Sequence, residues 1–440
     1  KIAIIGSGIS GLTAANRLQH QHDIAVFEAN NYIGGHANTV SVEMDGNTHA
    51  VDTGFIVFND WTYPNFIRLL DELGVGSQPT EMSFSVRDDQ SGLEYNGHSL
   101  NTLFAQRRNL LRPKFYRMIA DILRFNRQIK QTNFDKQPNA NQSALTVGEF
   151  LQQYKYSEEF QKHYLLPMGA AIWSCPMGVF ADFPIQFIAQ FYKNHGLVNI
   201  GNRPQWRVIE GGSRTYVKAL VREFENRIRL NTPVLKVLRN GDHVTVSTQQ
   251  FQEEFDHVIF ACHSDQALKI LGQDATKTEL EILSQFPYSR NVATLHTDET
   301  KLPKNRRAWA AWNYTITDDV ESAASVTYNM NLLQNIQANQ TFCLTLNGES
   351  DIDPKKVLRQ FVYHHPVFTL DREAAQARHA ELIDVNRTSF CGAYWRNGFH
   401  EDGVVSALAV VDSLRDSEPN SDTPGLTGRI PLAERAEISS

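Results

Sequence analysis

The chain has 440 residues, 41% hydrophobic and 21% charged, with a net charge of −7. That length holds two or three domains with their own cores, and the slightly acidic balance leaves no global basic field, which argues against nucleic acid as a partner. No apolar run approaches the ~20 residues of a membrane span, and the dispersed cysteines (Cys175, Cys262, Cys343, Cys391) form no C-x-x-C, which argues against a zinc site or disulfide framework and fits a reduced, cytoplasmic setting.

The chain opens directly on a strand, "KIAIIG", so no signal peptide is expected within it. Gly6, Gly8 and Gly11 follow in a G-x-G-x-x-G spacing, then a helical run through Leu18 and a second strand, "DIAVFE", ending at Glu28. This βαβ unit favours a parallel sheet covered by helices. In it Gly6 allows the tight turn, Gly8 the close approach of a pyrophosphate, and Gly11 the packing of helix on strand. The N–H groups of the first helical turn, at Ile9 and Ser10, face the phosphate charge. Glu28, with Ala29 beside it, sits where a carboxylate accepts hydrogen bonds from ribose hydroxyls, and it would repel a 2′-phosphate, which disfavours NADP. A second glycine pair, Gly34-Gly35, suits a second backbone approach to the same diphosphate.

Further along, a helix is expected at about 63–74, ended by Gly74, then a hairpin over 78–98. Residues 103–130 set eight Lys/Arg against one Asp, with Phe115, Ile119, Ile122 and Leu123 at helical spacing. This segment reads either as a solvated surface helix, with Pro113 starting a fresh helix, or as a basic amphipathic element docking peripherally on an anionic membrane, which would be the inner face. A polar break covers 131–144. Helices follow at 146–173 and 183–195, strand–turn–helix at 206–224, short strands over 228–262 with Asn240-Gly241 as a hairpin turn, strands again over 287–347, and a last helix from Gly403 to about Leu414. The polar tail, 416–440, reads as weakly ordered.

Taken together, "GSGISG", "FEANNYIGGHANT" and "VDTGFIVFN" resemble the amine-oxidase-type flavoproteins, the group of monoamine oxidases, phytoene desaturases and protoporphyrinogen oxidases. The chain is most similar to a bacterial branch described only as NAD/FAD-binding proteins or FAD-dependent oxidoreductases. The resemblance implies non-covalently bound FAD, since no cysteine is placed for a covalent link. It implies that Thr53, Gly54 and Phe55 lie near the flavin, that the Val234 backbone contacts adenine, and that Ala261 and Cys262 pass near the cofactor. Gly392, Asp402, Gly403 and Val404 match the closing motif, whose helix N-terminus faces the flavin pyrimidine and stabilises negative charge there. His36 falls where many relatives carry a basic residue near the diphosphate.

Two departures stand out against that family. The lysine that holds a water near the flavin is replaced, at the best-fitting position, by Asn291, and the cofactor-facing acidic residue of the closing motif by Ala393 and Tyr394. Simple amine oxidation is therefore in doubt. Candidate catalytic residues are Asn291, His400 and Glu401; Glu401 and Asp402 read alternatively as helix caps. Trp173, Trp312, Tyr394 and Phe399 are candidate substrate contacts, the tryptophans as walls of an apolar tunnel or as ordinary core. His364-His365-Pro366 reads as loop or core. No metal site is expected.

The expected fold is α/β: a Rossmann-like FAD-binding domain of the glutathione-reductase type, with an inserted mixed α+β substrate domain. The first is assembled from 1–75, 205–262 and 385–415, the second from 76–204 and 263–384, with the flavin at their junction. The expected function is hydride transfer to FAD from a small apolar molecule, an acyl lipid or unsaturated hydrocarbon. The alternatives are a flavin-dependent double-bond isomerase on unsaturated fatty acyl chains, an amine oxidase with an altered site, and a non-catalytic flavoprotein. The electron acceptor and the oligomeric state stay open.

Overall fold

The side chains of Ile2–Ile5, Ile24–Phe27 and His257–Phe260 are buried without exception. A strand buried on both faces has no polar side to alternate with, so it reads as a continuous apolar run. In this computed structural model, which describes residues 1–132, 145–316, 325–369 and 371–416, these strands are the centre of a five-stranded parallel sheet. Its order is Ile228–Arg229, Ile24–Phe27, Ile2–Ile5, His257–Phe260, Thr388–Phe390. The glycine-loop helix (Ile9–Leu18), the helix Pro64–Leu73, the helix Arg214–Val221 and the C-terminal helix (His400–Asp416) cover one face and share one core. A three-stranded antiparallel sheet (Lys236–Arg239, Val244–Ser247, Gln252–Phe255) and the helices Ser264–Leu271 and Lys277–Leu283 share the core of the other face.

A second, seven-stranded sheet runs Val357–Pro366, Tyr288–His296, Cys343–Leu346, Ser325–Asn329, Trp312–Ile316, Phe84–Asp88, Leu93–Asn96. It is antiparallel except where Phe84–Asp88 pairs with Trp312–Ile316. The helices between 113 and 194 pack around a separate core rich in phenylalanine.

Several local signals are realised. Gly74, at φ +65°, ends the helix Pro64–Leu73, and Pro113 is the first residue of the helix Pro113–Gln131, which a 3₁₀ turn, Arg107–Leu111, precedes. The helix expected over 146–173 is instead broken into Val147–Gln153, Glu158–Phe160, a π turn at Gln161–Leu165, and Leu166–Trp173. The break has a physical cause: Ser157 accepts from the Phe160 N–H and restarts the helix. The C-terminal helix begins at His400, three residues before the expected Gly403, because the Asp402 carboxylate reaches back to the Phe399 N–H at 2.9 Å. The break at 131–144 falls outside the described residues from 133 onward, as does the tail beyond 416.

One carboxylate ties the two sheets' surroundings together. Buried Asp52 accepts from the Ser213 N–H at 2.9 Å and the Ser213 hydroxyl at 2.7 Å, from Thr39 Oγ1, and from Gln334 Nε2 at 2.8 Å.

Candidate functional site

The carboxyl ends of the parallel strands carry the expected glycines. Gly6 takes φ +110°, in the region glycine tolerates best, and a Cβ there would meet the Ala261 carbonyl oxygen at 2.8 Å. At Gly11 a Cβ would lie 2.0 Å from the Gly6 carbonyl oxygen, so helix and strand approach as only glycine permits. Nothing lies within 4 Å of a Cβ placed on Gly8. The outer face of that turn is therefore open to a ligand, beside the unpaired N–H groups of Ile9 and Ser10 in the first helical turn. The second loop packs onto the first: the Gly34 N–H donates to the Ser7 carbonyl at 3.0 Å, and a Cβ on Gly35 would sit 3.2 Å from Gly8 Cα. Two glycine turns thus flank one crevice, a shape that fits a diphosphate.

Glu28 ends the second strand with its carboxylate already held. Oε2 accepts from the Ser7 N–H (3.0 Å) and hydroxyl (2.6 Å), and Oε1 from the Asn30 N–H (2.8 Å) and Nδ2 (2.9 Å). A carboxylate offers about four lone-pair sites, so a ribose diol there would replace the Ser7 hydroxyl and the Asn30 amide. Ala29 is exposed at the same strand end. Val234 lies in the same core as Phe27, two residues past Thr232, whose N–H donates to the Glu28 carbonyl at 2.8 Å.

The loop after the second glycine pair meets the seven-stranded sheet. His36 stacks on Tyr363 with ring centroids 4.9 Å apart. The Tyr363 hydroxyl bonds to Thr53 Oγ1 (2.9 Å) and accepts from Asn38 Nδ2 (3.0 Å), and the Phe55 N–H donates to the His36 carbonyl at 2.7 Å. Gly54 lies so near that carbonyl that a Cβ would meet its oxygen at 2.2 Å. Asn291 pairs directly with Tyr363 across the two strands and therefore shares its face. Its side chain is committed to the sheet: Nδ2 donates to the Ser289 carbonyl and hydroxyl, both at 3.2 Å, and Oδ1 accepts from Asn347 Nδ2 at 2.7 Å. Sequence reasoning located the strand and its face but missed Tyr363 and Asn347. The adjoining His364-His365 pair was the available signal, and the reading of it as loop or core is revised: His365 lies 5.6 Å from His36.

The residues of the closing motif divide. Gly403 and Val404 pack against the glycine-loop helix; a Cβ on Gly403 would meet Ile9 Cγ2 at 2.7 Å, which brings the N-termini of the two helices together. The Gly392 N–H donates to the Ser406 hydroxyl at 2.9 Å. His400 and Glu401, candidates for acid–base work, are turned into the protein instead. His400 stacks flat on Phe55 at 3.5 Å, its Nε2 bonds to the Tyr216 hydroxyl at 3.0 Å, and burial holds its pKa well below the usual imidazole range. Glu401 accepts from the N–H groups of Asn65 (3.1 Å) and Phe66 (2.9 Å), capping the helix Pro64–Leu73. Asp402 caps its own helix, and burial lifts its carboxyl to about 7. Burial also pushes the Cys262 thiol up to about 12, which leaves it a poor nucleophile at neutral pH.

The four candidate substrate contacts do not converge. Trp173 and Phe399 share the phenylalanine-rich cluster, Phe399 through Phe191 at 5.5 Å and Trp173 through the same Phe191 at 4.8 Å. Trp312 packs edge-on against Tyr328 in the core of the seven-stranded sheet, and Tyr394 packs on Phe286 beneath the parallel sheet. Trp173 and Trp312 lie in separate cores and do not wall one tunnel; an aromatic cluster forms around Phe399 instead. Its fourth member, missed in sequence, is His195, 5.8 Å from Phe399 and stacked on Phe191 at 3.9 Å. His195 Nδ1 lies 2.9 Å from the Phe191 carbonyl oxygen. An acceptor there places the proton on Nδ1 and leaves Nε2 as a lone pair.

The chain matches the family described as flavin-containing amine oxidoreductases over residues 9–304. It is 23% identical over 278 residues to AofH of Mycobacterium tuberculosis, whose description is that of a flavin-containing monoamine oxidase. That match covers 59% of this chain and 56% of AofH, so the chain spans about half the length of the curated relatives it matches. Among solved structures, cyclohexylamine oxidase from Brevibacterium oxydans has the same fold, with a TM-score of 0.66 at 16% identity over 94% of this chain and 99% of that one. The CLA-producing fatty acid isomerase from P. acnes shares it as well, at TM-score 0.64 and 14% identity over 94% of this chain and 98% of that one.

Proposed function

Because the chain belongs to the flavin-containing amine oxidoreductase family, we propose that it is an FAD-dependent oxidoreductase acting on an apolar substrate, an acyl lipid or an unsaturated hydrocarbon. The observation that carries the substrate class is the surroundings of Phe399. Charged groups bordering its aromatic cluster include Asp402, which accepts from the Phe399 N–H, and the guanidinium of Arg372, buried 3.8 Å above the Phe368 ring and held by the carbonyls of Val367, Tyr394 and Arg396. Phe368 in turn packs on Trp173 at 6.0 Å. A cation set against an aromatic wall disfavours an ammonium substrate and suits a neutral chain. The committed Asn291 agrees with this, since its amide has no free donor to hold a water as the family's lysine does.

FAD would supply the hydride acceptor. The two glycine turns would hold its diphosphate, Glu28 its adenosine ribose, and the N-terminus of the C-terminal helix would offset charge on its redox ring. The thiol of Cys262 is unsuited to a covalent link, so binding would be non-covalent. The aromatic cluster excludes water and orients the substrate chain, and His195 Nε2 takes the proton lost with the hydride. Electrons leave to O2 or another acceptor. The two-unit division of the chain is part of the proposal, with the first unit extended through Leu283 to include the helices that share its core.

The test is anaerobic. Purified protein is mixed with fractionated cell lipids and, separately, with amines, and the flavin band is followed. Bleaching by a lipid fraction and not by amines supports the reading. Bleaching by amines with peroxide release in air would replace it with amine oxidation. A shifted double bond without net oxidant use would mark an isomerase, and a flavin that no fraction reduces would mark a non-catalytic flavoprotein.

A further inference from the structure

Four imidazoles gather where the two glycine turns end. His36 follows Gly35, which abuts Gly8, and His263 lies two residues past Ala261, which abuts Gly6. Their ring centroids are 6.2 Å apart; His365 is 5.6 Å from His36, and His364 is 6.4 Å from His263. Two tyrosines brace them, Tyr363 stacked on His36 and Tyr288 on His263 at 4.2 Å. The charges acting on His36, His263 and His365 are those of other histidines, with no lysine or arginine among them. Other titratable groups facing the cluster are Glu28 and Tyr32 from the second-strand loop, Cys262 and Asp265 at the start of the helix Ser264–Leu271, His400 from the C-terminal helix, and exposed Arg290, the direct cross-strand partner of His364. Asp52 acts on Tyr363, and Arg372 acts on Tyr288 from one layer further out.

Burial and mutual repulsion hold the rings of His36, His263 and His365 neutral. His36 is pushed down to about 4, and His263 and His365 to about 3. An anion in the adjoining crevice reverses that balance, because an opposite charge within ~4–6 Å favours the protonated ring. We propose that the imidazoles of His36, His263 and His365 are the counter-charge of the cofactor's diphosphate and take up protons from solvent as it binds, so that the cofactor is held more tightly as pH falls. This rests on the reading of FAD as the cofactor. The sign follows from linkage: a group with a higher pKa in the bound state contributes affinity that is lost as pH rises through that bound-state value. Each proton taken up makes the dissociation constant rise about tenfold per pH unit over that window.

The experiment dilutes the FAD-loaded full chain at pH values from 6 to 9 and reads released flavin by its fluorescence. The expected result is a dissociation constant that climbs severalfold or more per pH unit. His36→Arg, with a fixed positive charge, should flatten the climb, His263→Gln should reduce it, and His98→Gln, on an exposed turn, should leave it as in the wild type. A flat wild-type profile would overturn the proposal while leaving the cofactor reading intact. So would a slope untouched in both His36→Arg and His263→Gln. A chain that binds no FAD at any pH would overturn the cofactor reading and this proposal with it.

Discussion

At the scale of the residue, His195 and Asp402 show how burial decides protonation. Burial pushes His195 down to about 4, so at pH 7 it is neutral, with Nε2 free to accept. His195→Asn places an amide donor nearest Nδ1 and removes Nε2. Anaerobic flavin bleaching by the active lipid fraction should slow by about 10²-fold or more, the usual contribution of a positioned base. The flavin spectrum and melting temperature should be unchanged; a rate equal to wild type would reduce His195 to a helix cap. Asp402 carries the opposite sign. Its carboxyl titrates at about 7 in the folded protein against an ordinary value of 3.8, so the folded chain holds a proton that the unfolded one releases. Stability is therefore lost as pH climbs from about 4 through about 7. Asp402→Asn removes that slope, and its melting temperature relative to wild type should rise between pH 5 and pH 8. The glycine turns and the strand that leads into Glu28 were legible in the sequence because local backbone sets them. His195 was not, because an imidazole at a helix end gains significance only when Phe399 arrives from 204 positions away.

At the scale of the element, helix ends carry much of the organisation. Glu401 lies in the first turn of one helix and caps another, 336 residues earlier in sequence. Glu401→Gln keeps one acceptor oxygen but loses the charge facing the N-terminus of Pro64–Leu73. It should lower unfolding stability by ~1 kcal/mol, measured by urea denaturation. An unchanged midpoint would remove the cap from the account. The starts of Pro113–Gln131 and the end of Pro64–Leu73 were readable because proline and glycine act on their own backbone. The capping carboxylate was read as a candidate base because no sequence pattern distinguishes a cap for a distant helix from a free acid.

At the scale of the whole molecule, one edge is both apolar and basic. Leu111 is 88% exposed and Leu100 77%, beside Leu110 and Tyr116, with Arg107, Arg108 and Arg112 among them. No helix among the described residues is long and apolar enough to cross a membrane. An edge of this composition fits peripheral contact with anionic lipid, which would bring an apolar substrate within reach. The full chain should sediment with vesicles containing phosphatidylglycerol at low salt and not with phosphatidylcholine alone. Leu110→Asp with Leu111→Asp should abolish the binding. No retention on either vesicle would leave the segment as an ordinary solvated surface. The charge pattern of 103–130 announced this edge in the sequence. The meeting of the two sheets was not announced, since it depends on Tyr363 reaching Thr53 and Asn38 across more than 300 positions.

The carboxylate of Asp52 bears on how the protein can be divided. Its donors come from residues 39, 213 and 334, and the last of these belongs to the stretch between two strands of the seven-stranded sheet. An excised nucleotide-binding half, spliced from its separate pieces, would keep Thr39 and Ser213 but strand this anion without its amide partner. Attempts to express the halves alone should therefore return insoluble fragments, while a protease nick in an exposed loop would leave the two pieces clasped together.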